Sequence, residues 1–520
     1  MSTHLIKSGF ILSSMTLISR ILGLIRDIVL ANIVGSGAGA DVFFFANRIP
    51  NFLRRIFAEG AFAQAFIPVL TEIQAQGNAD RMRELIAKAS GTLGGFVAIV
   101  TLLGIIFSGF ITAVFGFGWF IDWLSNGASA SKFELASLLL KITFPYLWFV
   151  TLVALSGSIL NVLGQFAVSS FTPVFLNACV IGFAVFLSPR LMQPEIGLAI
   201  GVFSGGLVQF AFQLPFLKRA GLLVKPRWGW NDPNVARIRK LMIPALLGIS
   251  ISQINLLLDT LMASLLQSGS VSWLYYSDRL IEFPLGLFGV TIATLILPIL
   301  SERYVNSEPE KFSRTIDWGI KMVFLLGMPA MFGLMVLAKP IILVLFMHGE
   351  FSLFDVNQCS SSLLAYASGL LSLMLIKVLV TGYYSRQDTK TPVRLGVLSM
   401  LANIVLNGLL AWLCSYVGLA IATSLSSFMY MVSLYRGLHS RNIYRLPRET
   451  VLFFLRILLA TTVMVGTVSH LLGNWDHWLG WSPTHKIIIL TSIITFGGMV
   501  YFSLLIVQGV RPSDLKVATA

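Results

Sequence analysis

Seven basic side chains lie inside apolar stretches of this chain. Arg20 and Arg26 interrupt the first apolar block, Arg48, Arg54 and Arg55 the second, and Arg279 and Lys377 two later ones. The second block, NRIPNFLRRIFAEGAFAQAF over 47–66, also carries Glu59. A charge at mid-bilayer costs about 2.5–3.5 kcal/mol on insertion scales, so such a residue marks a substrate pathway by default. Arginine presents a planar fork of donors that suits phosphate through bidentate, charge-assisted contacts. The chemistry implied is capture of an anionic, phosphorylated ligand within the membrane. An exporter of organic cations would show the opposite bias, with acids and aromatic cages. The competing account is internal pairing: Arg26 or Arg20 with Asp27 and Asp41, Arg55 with Glu59, and Arg279 with Asp278 or Glu282. Five arginines in the first two spans and their connection face three acids, which leaves a net +2 that pairing does not absorb.

A second polar set lies further along. Asp259 stands alone in NLLLDTLMAS, Asn403 and Asn407 share a helical face, and Thr423 follows in the next apolar block. An acid, two amides and a hydroxyl are hard oxygen ligands that could hold a sodium ion or a proton. Equally, they could make interhelical hydrogen bonds worth about 0.6–2 kcal/mol each. Lys377 reads either as a counter-charge or as a side chain snorkelling to an interface. Catalytic patterns are missing. The histidines at 4, 348, 439, 470, 477 and 485 show no metal-binding spacing, GSGAGAD (35–41) reads as a flexible turn, and no phosphate-binding loop of a nucleotide hydrolase occurs. The sequence therefore calls for no cofactor beyond a monovalent cation and no enzymatic activity. Cys179, Cys359 and Cys414 all sit in apolar blocks, which argues against a disulfide framework.

The elements that must position these residues are membrane helices. The chain has 520 residues, 56% hydrophobic and 12% charged, about half the charge of a soluble protein. Continuous apolar blocks of membrane-spanning length exclude a β-barrel. The expected fold is an all-α polytopic membrane protein of fourteen transmembrane helices, at about 8–33, 42–71, 89–114, 134–163, 169–188, 196–217, 241–265, 271–300, 318–339, 357–384, 392–413, 417–436, 450–471 and 487–508. The first block, broken by Arg20 and Arg26, is not expected to be a cleavable signal peptide. With both termini in the cytoplasm, 25 of the 37 Lys and Arg fall on the cytoplasmic side, 5 on the outer side and 7 within spans. That bias satisfies the positive-inside rule, so the net charge of +14 reports topology and not nucleic-acid binding.

The chain also repeats. FFANRIP (44–50) and FIPVLTE (66–72) bracket the second span as YYSDRLI (275–281) and ILPILSE (296–302) bracket the eighth. Both spans run from outside to inside. Two six-helix lobes, 1–217 and 241–438, would therefore be related by a pseudo-two-fold along the membrane normal, with a substrate cavity between them. They are joined by the linker 218–240, where Asn231-Asp232-Pro233 signals a turn and a helix start. The extra pair of helices occupies 449–508. Gly23 and Pro50 are positions where the arginine-bearing helices can bend or break.

Four stretches, SRILGLIRD (19–27), ADVFFFANRIPNFLRRIFAEGAFAQAFIPVL (40–70), GSVSWLYYSDRLIEFPLGLFGV (269–290) and YYSRQDTKTPV (383–393), closely resemble the MurJ (MviN) lipid II flippases of bacterial cell-wall synthesis, within the multidrug/oligosaccharidyl-lipid/polysaccharide exporter superfamily. The resemblance runs the length of the chain. It implies movement of lipid II, an undecaprenyl-pyrophosphate carrying a disaccharide-pentapeptide, across the bacterial inner membrane by alternating access. It places the family's cavity arginines on Arg20, Arg26, Arg54 and Arg279 and the acid near the outer gate on Asp41. Ser19, Asp27, Arg48, Arg55, Glu59, Asp278 and Glu282 fall in the matching motifs as gate or supporting residues. The last two helices correspond to a groove for the lipid tail, and partners would include membrane lipid and cell-wall synthesis proteins. Rival readings are a flippase for another undecaprenyl-linked glycan, a multidrug cation antiporter of the same superfamily, and a membrane-embedded polyprenyl-phosphate transferase. The last would need an aspartate-rich or histidine-bearing face that the sequence does not show.

Overall fold

The computed structural model describes residues 3–510; the side chains of 3–14, 16, 58–61, 244–245 and 247–252 lie outside the description. Among the described residues no strand occurs. The helices, in chain order, are α1 (Thr3–Val34), α2 (Ala38–Arg54), α3 (Ala63–Ala75), α4 (Ala79–Ile106), α5 (Ser108–Phe115), α6 (Phe117–Ser125), α7 (Ala130–Thr143), α8 (Pro145–Val162), α9 (Phe166–Phe171), α10 (Pro173–Phe186), α11 (Pro194–Arg219), α12 (Pro233–Ser264), α13 (Ser270–Pro284), α14 (Thr291–Val305), α15 (Pro309–Phe346), α16 (Leu353–Tyr384), α17 (Lys390–Ser440), α18 (Arg448–Leu472), α19 (Trp475–Gly480) and α20 (Pro483–Val507). Ten helical stretches among the described residues are long and apolar enough to cross a membrane. With α1, the α2–α3 stretch and α12, every one of the fourteen expected spans falls on a helix. The eleventh and twelfth share α17, which is broken only at Ser415, a non-helical residue at φ 54°.

Local chemistry explains where these helices start. Asn78 caps α4 by accepting from the Arg81 N–H at 3.0 Å. Asp232 caps α12 by accepting from Asn234 and Val235, so the expected start after Asn231-Asp232-Pro233 is where the helix begins. Ser352 and Asp355 form a reciprocal capping box at α16.

The second span carries its irregularity beyond Pro50. α1 passes Gly23 and α2 passes Pro50 without a break. Instead, α2 runs into a π-helical stretch, Arg55–Phe62, before α3. The repeated copy does the same: α13 runs into a π-helical stretch at Leu285–Val290 before α14. The wide turn opens seven residues after Arg48 in one copy and six after Arg279 in the other. The internal repeat is thus a repeat of backbone irregularity as well as of residues, and π-turns of this kind gather at functional sites.

By packing, the chain divides into two compact units, 1–272 with 348–351, and 273–347 with 352–520. The core of the first is built on α2, α7, α8 and α11, where Phe43, Phe45, Leu139, Leu140, Leu147 and Leu198 are fully enclosed. In the second, Ile296, Ile316, Val323, Leu363, Leu370 and Val378 fill the space between α14, α15 and α16. Phe324 stacks on Phe454 at 3.7 Å, which joins α18 to α15, and the Tyr501 hydroxyl donates to the Leu325 carbonyl, which joins α20. Large exposed apolar side chains such as Ile106, Phe110, Phe186 and Trp412 are what lipid-facing helix surfaces require.

Within the first unit, residues 222–229 run extended along α4. The Arg227 N–H donates to the Ala87 carbonyl at 2.8 Å, Gly229 N–H to Thr92 Oγ1 at 3.0 Å, and Arg83 Nε to the Gly221 carbonyl at 3.1 Å. Gly91 makes this approach possible, because a Cβ there would overlap the Arg227 backbone.

Candidate functional site

Three helical regions of the first unit carry the arginines. On α1, Arg26 donates through Nε and Nη2 to Asp27 Oδ1, at 3.0 and 2.8 Å, and through Nη1 to Asn177 Oδ1 on α10 at 3.1 Å. Asn177 returns a hydrogen bond to the Ser19 carbonyl at 3.3 Å. The guanidinium is thereby fixed by two side chains, one beside it in sequence and one 151 residues away. Arg20 differs. It is exposed at the middle of α1 and has no hydrogen-bond or ion-pair partner among the described residues.

Around the π-turn, Asn47, Asn51 and Arg54 form a ladder: Asn51 Nδ2 donates to the Asn47 carbonyl at 2.9 Å, and Arg54 Nε donates to Asn51 Oδ1 at 3.1 Å. Arg48 donates to Thr260 Oγ1 at 2.6 Å, and Arg55 to Gln253 Oε1 at 3.4 Å, both on α12. Glu59, the expected partner of Arg55, has its side chain outside the described residues. The uncharged partners Asn51, Gln253 and Thr260 escaped the sequence reading because amides and hydroxyls carry no charge signal. The Asn47–Asn51 spacing of one helical turn was the one clue.

Asp41 does not pair with Arg20 or Arg26. It is 1% exposed and takes Lys132 Nζ on Oδ2 at 3.1 Å. The Gly269 N–H also reaches Oδ2 at 2.7 Å, while the N–H and hydroxyl of Ser272 reach Oδ1 at 2.9 and 2.7 Å. Lys132, which the sequence assigns to the outer surface, is itself only 5% exposed and lies over the Trp119 ring. The reason is the packing of α2 against α7, which sets Lys132 in the first turn of α7 beside Asp41 in the first turn of α2. A short-range reading of charge positions has no access to that meeting.

In the second unit, Arg279 on α13 donates to Glu282 Oε2 at 2.7 Å and to the Tyr275 hydroxyl at 3.3 Å, with its guanidinium 5.3 Å from the Tyr275 ring. Asp278, half-buried, stands next to it. Asn403 and Asn407 are both 1% exposed; Asn407 Nδ2 donates to Asn403 Oδ1 at 3.0 Å and Asn403 Nδ2 to Ser426 Oγ at 3.2 Å. Ser426 in turn donates to the Thr423 carbonyl at 3.1 Å, and the Thr423 hydroxyl to the Leu419 carbonyl. These bonds tie the two arms of α17 together. Asp259 is buried on α12 in the other unit. Lys377 is exposed on α16, without a side-chain partner among the described residues.

Long apolar helices that carry arginines within their spans define the class as a polytopic helical membrane transporter. The same backbone course is found in an inward-facing multidrug resistance MATE family transporter of the MOP superfamily, with a TM-score of 0.66 over 83% of this chain and 97% of that one; at 14% identity this is a likeness of fold. A solved lipid II flippase MurJ in an inward closed conformation matches with a TM-score of 0.78 and 27% identity, over 96% of this chain and 100% of that one. The sequence pattern that describes lipid II flippase MurJ covers residues 30–489. A probable lipid II flippase MurJ of Vibrio cholerae is 64% identical over 518 residues, spanning 100% of this chain and 99% of its own length. The chain belongs to the MurJ lipid II flippase family.

Proposed function

We propose that this protein carries lipid II from the cytoplasmic to the periplasmic leaflet of the bacterial inner membrane by alternating access, with both termini in the cytoplasm. The observation that carries the reading is Arg20, a guanidinium exposed midway along a 32-residue helix with no partner among the described residues. A charge kept midway along such a helix, with no counter-ion among the described residues, suits an anion supplied by the ligand. Arg26, Arg54 and Arg279 are the further cationic side chains that would meet the pyrophosphate and headgroup carboxylates, while the isoprenoid tail remains in lipid.

An inside-negative potential favours outward movement of the anionic headgroup by about 2.3 kcal/mol per charge per 100 mV, and it favours inward return of the empty cationic site as well. Collapse of the potential with ATP preserved should therefore stall transport, and unchanged transport would remove the potential as the driver. Asn403, Asn407 and Thr423 on α17 and, separately, Asp259 on α12 are the candidate ligands for a coupling cation, tested by whether turnover in vesicles depends on sodium.

The experiment for the main reading is depletion of the protein in cells exposed to a periplasm-restricted enzyme that cleaves lipid II. Cleavage should fall within minutes while total lipid II rises. Unchanged cleavage would refute lipid II as the substrate.

A further inference from the structure

The segment between α11 and α12 is more than a tether. Residues 218–240 contain seven Lys and Arg against one acid, Asp232. The extended part is pinned to α4 by the three hydrogen bonds already described, so its side chains are held in place and not free to coil away. Trp228 packs its ring edge 3.1 Å from where a Cβ on Gly95 would stand, yet leaves 60% of its surface open. Trp230, 40% exposed, stacks nearly parallel to Trp228 with ring centres 6.0 Å apart. Arg239 covers the other ring with its guanidinium 3.8 Å from the Trp230 centroid, and its Nη2 donates to the Trp230 carbonyl at 2.9 Å. Lys225, Arg227 and Lys240 flank this stack, exposed, with no side-chain partner among the described residues.

Two open indole rings fixed beside a membrane-length helix match the headgroup layer, where tryptophan concentrates. Cations around them match a surface bearing negative charge, and basic residues near an anionic leaflet gain about 1 kcal/mol each. We propose that the pinned linker is a binding surface for anionic phospholipid of the leaflet it faces, with the paired indoles seated among the headgroups and Lys225, Arg227 and Lys240 meeting the phosphates. Simple topological bias accounts for the number of cations here. It does not account for rigid attachment to α4 or for a Trp-Trp-Arg stack left open on one side. The inference concerns the linker alone and holds whatever the transported lipid is.

The test uses the full-length protein reconstituted in vesicles in which either the anionic or the zwitterionic phospholipid carries bromines that quench tryptophan, at equal mole fraction. Subtracting the signal of a Trp228→Phe/Trp230→Phe variant isolates the two rings. The expected result is about fivefold stronger quenching by the brominated anionic lipid, the fold-change that one basic residue's surface attraction of about 1 kcal/mol represents. That preference should decline with added salt and disappear in Lys225→Ala/Arg227→Ala/Lys240→Ala, which leaves the backbone hydrogen bonds and the indoles in place. Equal quenching by both lipids would reduce the surface to a generic aromatic belt and overturn the proposal. Absence of quenching by either would place the linker in water and overturn it too.

Discussion

Removal of the Lys132 charge should destabilise the first unit out of proportion to the size of the change. Asp41 and Lys132 are 1% and 5% exposed, so neither charge can turn to water when the other is lost. Breaking a buried pair by deleting one partner costs about 3–5 kcal/mol. Lys132→Met leaves Asp41 with donors from Gly269 and Ser272, three hydrogen bonds that keep the expected loss near the lower end, about 3 kcal/mol. Asp41→Asn leaves the ammonium facing an amide and should cost a similar amount. The double variant removes both charges, and replacing both partners is far less costly than orphaning one, so it should recover at least half of the summed loss. The assay is chemical unfolding of all four members of the cycle in mixed micelles, followed by tryptophan emission. A coupling below about 0.5 kcal/mol, the scatter expected of independent sites, would show that the pair does not form.

Arg20→Ala, Arg26→Ala, Arg54→Ala and Arg279→Ala should each abolish growth support while leaving membrane insertion intact, as judged by complementation alongside membrane levels; normal growth on Arg54→Ala would return the arginines to a structural role. Asn177→Ala should lower transport several-fold by releasing Arg26, whose Nη1 it accepts, and Asn177→Asp should restore more of the activity than Ala does if acceptance from Arg26 is what matters. Gly91→Ala should detach the linker from α4, raising protease cleavage at 222–229, because the added methyl would overlap backbone that cannot swing aside. Burial raises the carboxyl of Asp388, but hydrogen bonds from Thr391 and the Arg441 guanidinium outweigh it and hold the group below the usual carboxylate range. A depressed folded-state value adds stability that is present above the unfolded value, near 3.9, and is lost as pH falls through the folded one. Melting below pH 4 should therefore be steeper in the wild type than in Asp388→Asn.

The spans, their order and the arginines on them could be read from the sequence because each rests on a local signal: apolar length, charge bias, or a charge within an apolar run. Asp232 announced the start of α12 for the same reason, since a capping acid before proline acts within one turn. Partners distant in sequence could not be read that way. Lys132 looked like an ordinary outer-surface lysine until α7 carried it to Asp41, and Asn177 looked like one amide among apolar residues until α10 set it against Arg26. Pro50, a position where the helix can bend or break, is passed by α2 without a break. Proline weakens a helix by removing one donor; the Ala46 carbonyl that Pro50 leaves without its helical partner accepts from the Thr143 hydroxyl at 3.0 Å, and the wider turn falls in RIFAEGAF, where nothing in the residue types demanded it.

The paired π-turns bear on ancestry. A wide turn seven residues past an arginine in one copy and six past in the other is an improbable thing to arise twice by chance. The simplest history has a single half-length gene whose product already carried the turn, which doubled once and then drifted apart. Its two descendants came to hold their arginines differently, Arg48 against a threonine hydroxyl and Arg279 against an acid and a tyrosine, yet neither has straightened the helix it inherited.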